Sequence, residues 1–394
     1  MKSSAAASTL AWIALGGLIV AGYLVFLHLG LMRGDLVGGA ACGGSGALNC
    51  HAVTGSRWSH FFGVPLAYWG LLAYSAVFSL ALFGLQGEKE AAGAVNVIWF
   101  LSLAMVAVDA WLLYVMAVKI QYFCLFCLLT YAVNGLLLGV AWLGQGAVPG
   151  ALGQSFAALL PSPQRRSSWL LAGLLLVAFS GVAGLHVATT YLTKGTLMGS
   201  GPQIQEFLSK QQRIAISSEG DPVKGKPGAP LHLIEFSDFL CPVCQRASKM
   251  NAIILASHRD DLAFNFKNFP LDMECNSALQ RTPHPGSCKI AAAGECANKQ
   301  GKFWEFHDVV FEATPPYNVN LIDTDAARIG LDMAKFQTCM SSGEGMEAVK
   351  ADVAEAIKAQ VNSTPTFVLN DVVLRGALTP AAFDDFAEEL VRRR

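Results

Sequence analysis

The sequence predicts two folds in series: an all-α region of membrane-spanning helices, then an α/β domain built round a strand–CxxC–helix unit. Three observations carry that prediction. Only 14% of the 394 residues are charged, against about 25% in an ordinary soluble chain. Twelve of the 57 charged residues fall in residues 1–195 and the other 45 in residues 196–394. Ten cysteines are present, and each half holds one CxxC. The net charge of −1 argues against nucleic acid as a partner.

Five stretches, at about 10–31, 62–85, 94–118, 122–143 and 168–192, reach the roughly 20 apolar residues that a membrane helix needs. Only Lys2 precedes the first run as a cation, the run is too long for a signal peptide, and no clear cleavage site follows it. It is therefore expected to remain as a helix. Residues 144–167, with Gly150, Pro161, Pro163, Arg165 and Arg166, read as a polar connection. The resulting domains are 1–145, a connection with the fifth span over 146–199, and 200–394.

Loop charges do not orient the spans. Lys2, Lys89, Arg165 and Arg166 on one side balance Arg33, Arg57, Lys119 and Lys194 on the other. Cysteine parity does better, because five spans place all ten thiols on one side. Disulfides persist in oxidising compartments, so that side is expected to be extracytoplasmic, with the N-terminus in the cytoplasm.

In the polar half, "LHLIEFSDFLCPVCQRASKM" reads as a buried strand, a turn and a CxxC opening a helix, a thioredoxin-like redox signature. The helix dipole and free backbone N–H groups stabilise a thiolate at that position. Cys241 is the expected nucleophile and Cys244, one turn in, the resolving cysteine. Thr364-Pro365 precedes a second strand and suits a proline loop beside them, with a cis bond expected there. No second CxxC or paired His falls at zinc-finger spacing, so no metal is expected. Cys275, Cys288, Cys296 and Cys339 form no CxxC and read as structural. Of the three possible pairings, Cys275–Cys288 with Cys296–Cys339 is favoured. His307, on an apolar helical stripe with Phe303 and Trp304, reads as core.

Cys241-Pro242-Val243-Cys244, Glu235 six residues before it, and Thr364-Pro365 together resemble a DsbA-type thioredoxin domain over about residues 215–394. The segment "HPGSCKIAAAGECANKQGKFWEFHDVVF" resembles that family's helical insertion. The resemblance implies that Glu235 is a buried acid assisting proton movement at the dithiol.

In the fourth span, Cys124, Cys127, Tyr131 and Asn134 follow steps of 3, 4 and 3, which puts them on one helical face. Polar groups in lipid are costly, so this stripe is expected to face the bundle interior. A dithiol above an apolar, aromatic-lined slot needs a lipid-soluble electron acceptor, and a quinone fits, with the Tyr131 hydroxyl bonded to a ring oxygen. The loop between the first two spans adds Cys42 and Cys50, separated by seven residues rich in Gly and Ser, a composition that favours mobility.

Cys42…Cys50, Ser56-Arg57-Trp58, Phe62-Gly63-Val64-Pro65 and Cys124-Leu125-Phe126-Cys127 with Thr130-Tyr131-Ala132-Val133-Asn134 occur in order on these spans. Together they resemble the vitamin K epoxide reductase family over about residues 8–145. The resemblance implies a four-helix bundle around a quinone of the ubiquinone or menaquinone type, a CxxC that reduces it, and loop cysteines that shuttle electrons. Ser56 is part of the pattern. Bacterial members are often fused through a fifth span to a thioredoxin-like domain, which implies a bacterial inner membrane with that domain on the periplasmic side. Asn96 has no secure match to the asparagine that contacts quinone in some relatives. Asp109, mid-membrane in the third span, either pairs within the bundle or lines the quinone slot.

The expected reaction is disulfide formation in reduced or unfolded secreted proteins. Electrons pass from Cys241/Cys244 to Cys42/Cys50, then to Cys124/Cys127 and the membrane quinone pool. Reversed flow through a membrane-anchored reductant or isomerase is one alternative, which a mostly reduced Cys241/Cys244 pair in vivo would favour. A membrane-anchored chaperone is the other, which loss of Cys124 without effect on substrate oxidation would favour.

Overall fold

A computed structural model describes residues 2–33, 48–145, 166–194, 201–211 and 213–392. The chain divides into two compact units, Met1–Leu197 and Met198–Arg394.

Among the described residues of the first unit, five helices are long and apolar enough to cross a membrane: α1 (Ser3–Met32), α3 (Leu66–Gly84), α4 (Glu88–Tyr114), α5 (Leu125–Gln145) and α6 (Arg166–Lys194). The short α2 (Cys50–Thr54) lies between α1 and α3. Helix α4 continues as a π-helical turn over Val115–Ile120, and Gln121, at φ 60°, closes it in the left-handed region. In lipid, helices associate by close packing rather than by hydrophobic exclusion. Small residues therefore carry the contacts. A Cβ on Gly144 would stand 2.4 Å from Ala6, and one on Gly17 would stand 2.5 Å from the ring of Tyr74. Helices α1, α3, α4 and α5 share one core that includes Ala7, Leu10, Val77, Val95 and Leu137. Helix α6 packs on α3, where the Tyr68 and Thr189 hydroxyls lie 2.6 Å apart.

Several expected boundaries shift: α1 starts at Ser3 rather than about 10, α4 starts at Glu88 rather than about 94, and two more shifts bear on the site. Residues 62–65, read as the start of the second span, belong to a hairpin of β1 (His60–Phe61) and β2 (Val64–Pro65). Here the positive φ of Phe62 and Gly63 turns the chain before it can coil. The fourth span begins at Leu125, so Cys124 caps that helix rather than lying inside it, its carbonyl accepting the Leu128 N–H at 3.0 Å.

The second unit is a five-stranded sheet of order β3-β5-β4-β6-β7. Its strands are β3 (Val223–Gly225), β4 (Leu231–Ser237), β5 (Leu262–Asn268), β6 (Thr366–Leu369) and β7 (Val372–Arg375). Strands β4 and β5 are parallel and the other neighbours antiparallel. After α7 (Gly201–Lys210), the CxxC helix α8 (Pro242–Ser257) crosses between β4 and β5. An insertion of α9 (Ser287–Asn298), α10 (Phe303–Glu312), α11 (Ile322–Arg328) and α12 (Met333–Ser342) precedes α13 (Glu344–Lys358), and α14 (Pro380–Arg392) closes the unit. Alternate residues of a strand face opposite sides. Accordingly Leu231 and Leu233 pack with Ala247 and Ile254 of α8, while Ile234 and Phe236 pack with Val353 and Ala356 of α13. Cys275 is bonded to Cys288 and Cys296 to Cys339, closing loops of 13 and 43 residues.

Candidate functional site

Each unit presents a CxxC at the start of a helix. In the second, Cys241 is the N-cap of α8, Pro242 takes the first turn where a missing N–H costs nothing, and Cys244 sits one turn in. Cys241 is 6% exposed and Cys244 fully buried. The Cys241 thiol donates to the Thr364 carbonyl at 3.8 Å, and the Thr364–Pro365 bond is cis. The Cys244 thiol, donating to Cys241, holds the latter well below the ordinary thiol range, and backbone N–H groups of Cys244 and Val243 add to this against the cost of burial. Burial pushes Cys244 the other way, reinforced by the hydrogen bond it gives. The pair is thus divided into a nucleophile and a protonated partner.

Glu235 is 1% exposed on β4, on the same side of the strand as Leu231 and Leu233 and therefore toward α8. Asn251 of α8 donates to its Oε2 at 2.6 Å. Burial raises its pKa to about 8, against the pull of Ser237 and Asn251. His307 is buried against Phe239, Phe266, Phe303 and Phe311 and bonded to Asp308 at 2.7 Å.

Sequence reasoning missed Asp238. Buried beside the active turn, it accepts from the N–H of Leu240 at 2.6 Å and of Leu271 at 2.7 Å, and from the Ser287 hydroxyl at 2.7 Å. His284 completes the set at 2.8 Å, and that hydrogen bond raises the histidine's pKa. One carboxylate so ties the chain before Cys241 to the loop that Cys275–Cys288 closes. Its only sequence signal was a charge three residues before a CxxC.

In the first unit Cys50 and Cys124 are both fully buried and pack in one cluster with Leu24, Leu27 and Met116. A short backbone bridge produces this contact. Leu48 pairs with Phe123, and the Asn49 N–H donates to the Phe123 carbonyl at 2.9 Å. The Asn49 side chain then caps α2 through the Ala52 N–H at 2.9 Å, which starts the helix at Cys50. Cys42 lies outside the described residues. Ser56 is buried, its hydroxyl donating to the Val53 carbonyl at 2.8 Å.

Cys127 is half-buried, its N–H donating to the Cys124 sulfur at 3.2 Å. It lines a cavity of about 410 Å³ with Ser56, Asp109, Tyr131 and Asn134. Leu24, Met105, Leu112 and Met116 make much of the wall apolar. Asn134 Nδ2 donates to Asp109 Oδ2 at 2.8 Å, and the Tyr74 hydroxyl donates to Asn134 Oδ1 at 2.7 Å. Asp109 therefore both pairs within the bundle and lines the cavity. Tyr74 and His28, which share the wall, had no spacing that linked them to the stripe. Asn96 is buried on α4 away from this cavity. Among the described residues no group of three or more His, Cys, Asp or Glu could hold a metal ion.

Residues 8–142 match the vitamin K epoxide reductase family, and residues 217–389 match a thioredoxin family. Among curated proteins, a Na(+)/H(+) antiporter NhaA 1 from Mycolicibacterium gilvum is 31% identical over 182 residues, 44% of this chain and 28% of the antiporter. One from Mycolicibacterium vanbaalenii is 30% identical over the same length and the same shares. The chain thus spans little more than a quarter of these relatives, and transport is a property of those proteins. Among solved structures, a thioredoxin-like oxidoreductase from Silicibacter pomeroyi is 24% identical over 45% of this chain and 94% of its own, with a TM-score of 0.39. Oxidised BdbD from Bacillus subtilis is 24% identical over 46% and 97%, with a TM-score of 0.38.

Proposed function

We propose that this chain, a vitamin K epoxide reductase family membrane domain followed by a thioredoxin-like domain, is a thiol oxidoreductase that makes disulfides in extracytoplasmic proteins and passes the electrons to a membrane quinone. The observation that carries the reading is the contact of Cys50 with Cys124, beside a cavity that Cys127 lines. The cavity suits a quinone by its chemistry: apolar walls for ring and tail, with Tyr131, Asn134 and Asp109 as polar partners for ring oxygens. A quinone bound there supplies an acceptor for two electrons and two protons.

The chain's own residues do the rest by thiolate attack on disulfides, in the direction set by reduction potentials. A reduced substrate protein attacks the Cys241–Cys244 disulfide at Cys241 and leaves oxidised. The resulting dithiol reduces Cys42–Cys50, with Cys42 meeting the thioredoxin-like domain. Cys50 then attacks Cys124, and Cys127 is released as the thiolate on the cavity wall. Glu235 exchanges the Cys244 proton, and the Thr364-Pro365 loop holds the substrate side of Cys241. Ser56 supports the loop that carries Cys50. The five spans are placed in a bacterial inner membrane, N-terminus cytoplasmic and thioredoxin-like domain periplasmic.

The test is quinone reduction by the purified full-length protein given a reduced, unfolded dithiol protein. Quinol and substrate disulfide should form in equal amounts. Substrate oxidation that continues without quinone, or quinone left unreduced, would sink the reading.

A further inference from the structure

Asp109 is the only Asp, Glu, Lys or Arg between Glu90 and Lys119. A carboxyl group at that depth is costly, and function is its default explanation. Its hydrogen bonds have a direction. Tyr74 donates to Asn134 Oδ1 at 2.7 Å, and Asn134 Nδ2 donates to Asp109 Oδ2 at 2.8 Å. Oδ2 is therefore an acceptor, and Oδ1, with no hydrogen-bond partner among the described residues, is the oxygen free to carry a proton. The arrangement is built into the packing. Only a glycine at position 17 leaves room for the Tyr74 ring, since a Cβ there would stand 2.5 Å from it. With the carbonyl and one of the two N–H bonds of Asn134 engaged, the group that can give up a proton at the cavity end of this chain of bonds is the carboxyl group.

We infer that Asp109 is a catalytic proton donor to the acceptor bound in this cavity, and that Tyr74 and Asn134 are positioning residues that orient its carboxyl group. The inference rests on the quinone reading above. Attack of the Cys42 thiol on Cys50 releases Cys124, and the two thiol protons pass to Cys124 and Cys127. Forming the Cys124–Cys127 disulfide from that dithiol breaks two S–H bonds and releases two electrons and two protons. Both electrons and both protons go to the quinone, which leaves as quinol. Asp109 Oδ1 gives its proton to one ring oxygen and becomes a carboxylate. One thiol proton restores the acid, and the other reaches the second ring oxygen, so no further reductant is needed. The other titratable groups on the cavity wall are His28, Tyr74, Tyr131 and Cys127.

The experiment uses full-length protein in lipid nanodiscs, with dithiothreitol as electron donor and a short-chain ubiquinone as probe. Asp109→Asn should lower kcat by ~10²–10⁴-fold, the range for a lost general acid. KM, and quenching of cavity tryptophan fluorescence by the quinone, should stay within about threefold, because the Asn amide N–H still donates to a ring oxygen and only the transferable proton is lost. Asp109→Glu should recover most of kcat. Infrared difference spectra on adding quinone should show a carboxylic acid band in wild type and the Glu variant, and none in the Asn variant. Tyr74→Phe, which keeps the ring over Gly17, should lower kcat by about tenfold with KM unchanged. A kcat for Asp109→Asn within about threefold of wild type, a loss confined to KM, or a wild type without the carboxylic band would each overturn the assignment. A wild-type protein that neither binds nor reduces quinone would instead sink the quinone reading and this assignment with it.

Discussion

The two CxxC pairs sit on equivalent local structure and expose opposite members. In both, the first cysteine caps a helix and the second lies one turn in. In the thioredoxin-like unit the first, Cys241, is nearer the surface and Cys244 has no exposure. In the membrane unit the first, Cys124, is fully buried in one cluster with Cys50, and the second, Cys127, stands on the cavity wall. A shared motif does not decide which thiol does what. Access does, and access comes from what packs above the helix end: the Thr364-Pro365 loop in one unit, the Leu48–Phe123 bridge in the other.

The largest effect should come from removing the exposed thiol of the membrane pair. Cys127→Ser is expected to abolish quinone reduction, leave Cys241–Cys244 exchange with model peptides intact, and trap a Cys50–Cys124 disulfide visible by mass spectrometry. Trapping Cys50 on any other cysteine would break the comparison. Next comes Glu235, which belongs to one pair alone. Its carboxyl binds a proton up to about 8 in the fold, against an ordinary 4.5. The folded state therefore holds the extra proton, and the stability linked to this group is complete below about 4.5 and lost as pH rises through about 8. Glu235→Gln should thus become the more stable protein as pH climbs through that window, by thermal denaturation, while thiol exchange at Cys241 slows by about 10–100-fold. Equal pH profiles for the two proteins would contradict the assignment.

Smaller effects test the scaffolds. Gly17→Ala should destabilise the membrane unit by about 1–3 kcal/mol through the Tyr74 ring, read by thermal unfolding in detergent. Asn49→Ala should cost about 1 kcal/mol locally by uncapping the helix that starts at Cys50. A correspondingly lower yield of the trapped Cys50–Cys124 disulfide would report it. An unchanged yield would mean that the backbone bridge alone brings the thiols together.

Short-range features were legible because local chemistry produces them. Apolar run length marks the five spans, a short apolar run before a CxxC marks β4, and the 3, 4, 3 spacing aligns Cys127, Tyr131 and Asn134 on the face that meets the cavity. What failed at this range failed by a few residues. The hairpin at 60–65 and the start of the fourth span depend on where positive-φ residues and a backbone bridge stop a helix, which hydropathy does not record.

The sequence by itself determined the kinds of chemistry available: thiols in pairs, a carboxyl group inside an apolar span, and an acid six residues before a CxxC. Those are properties of side chains and of their spacing along one element. Only the tertiary structure decided that Cys50 reaches Cys124, that Tyr74 and Asn134 hold Asp109, and that Asp238 anchors the turn before Cys241. Each of these joins residues on different elements, and such contacts follow from packing in three dimensions, where one glycine at position 17 can admit the ring that sets the whole chain of hydrogen bonds.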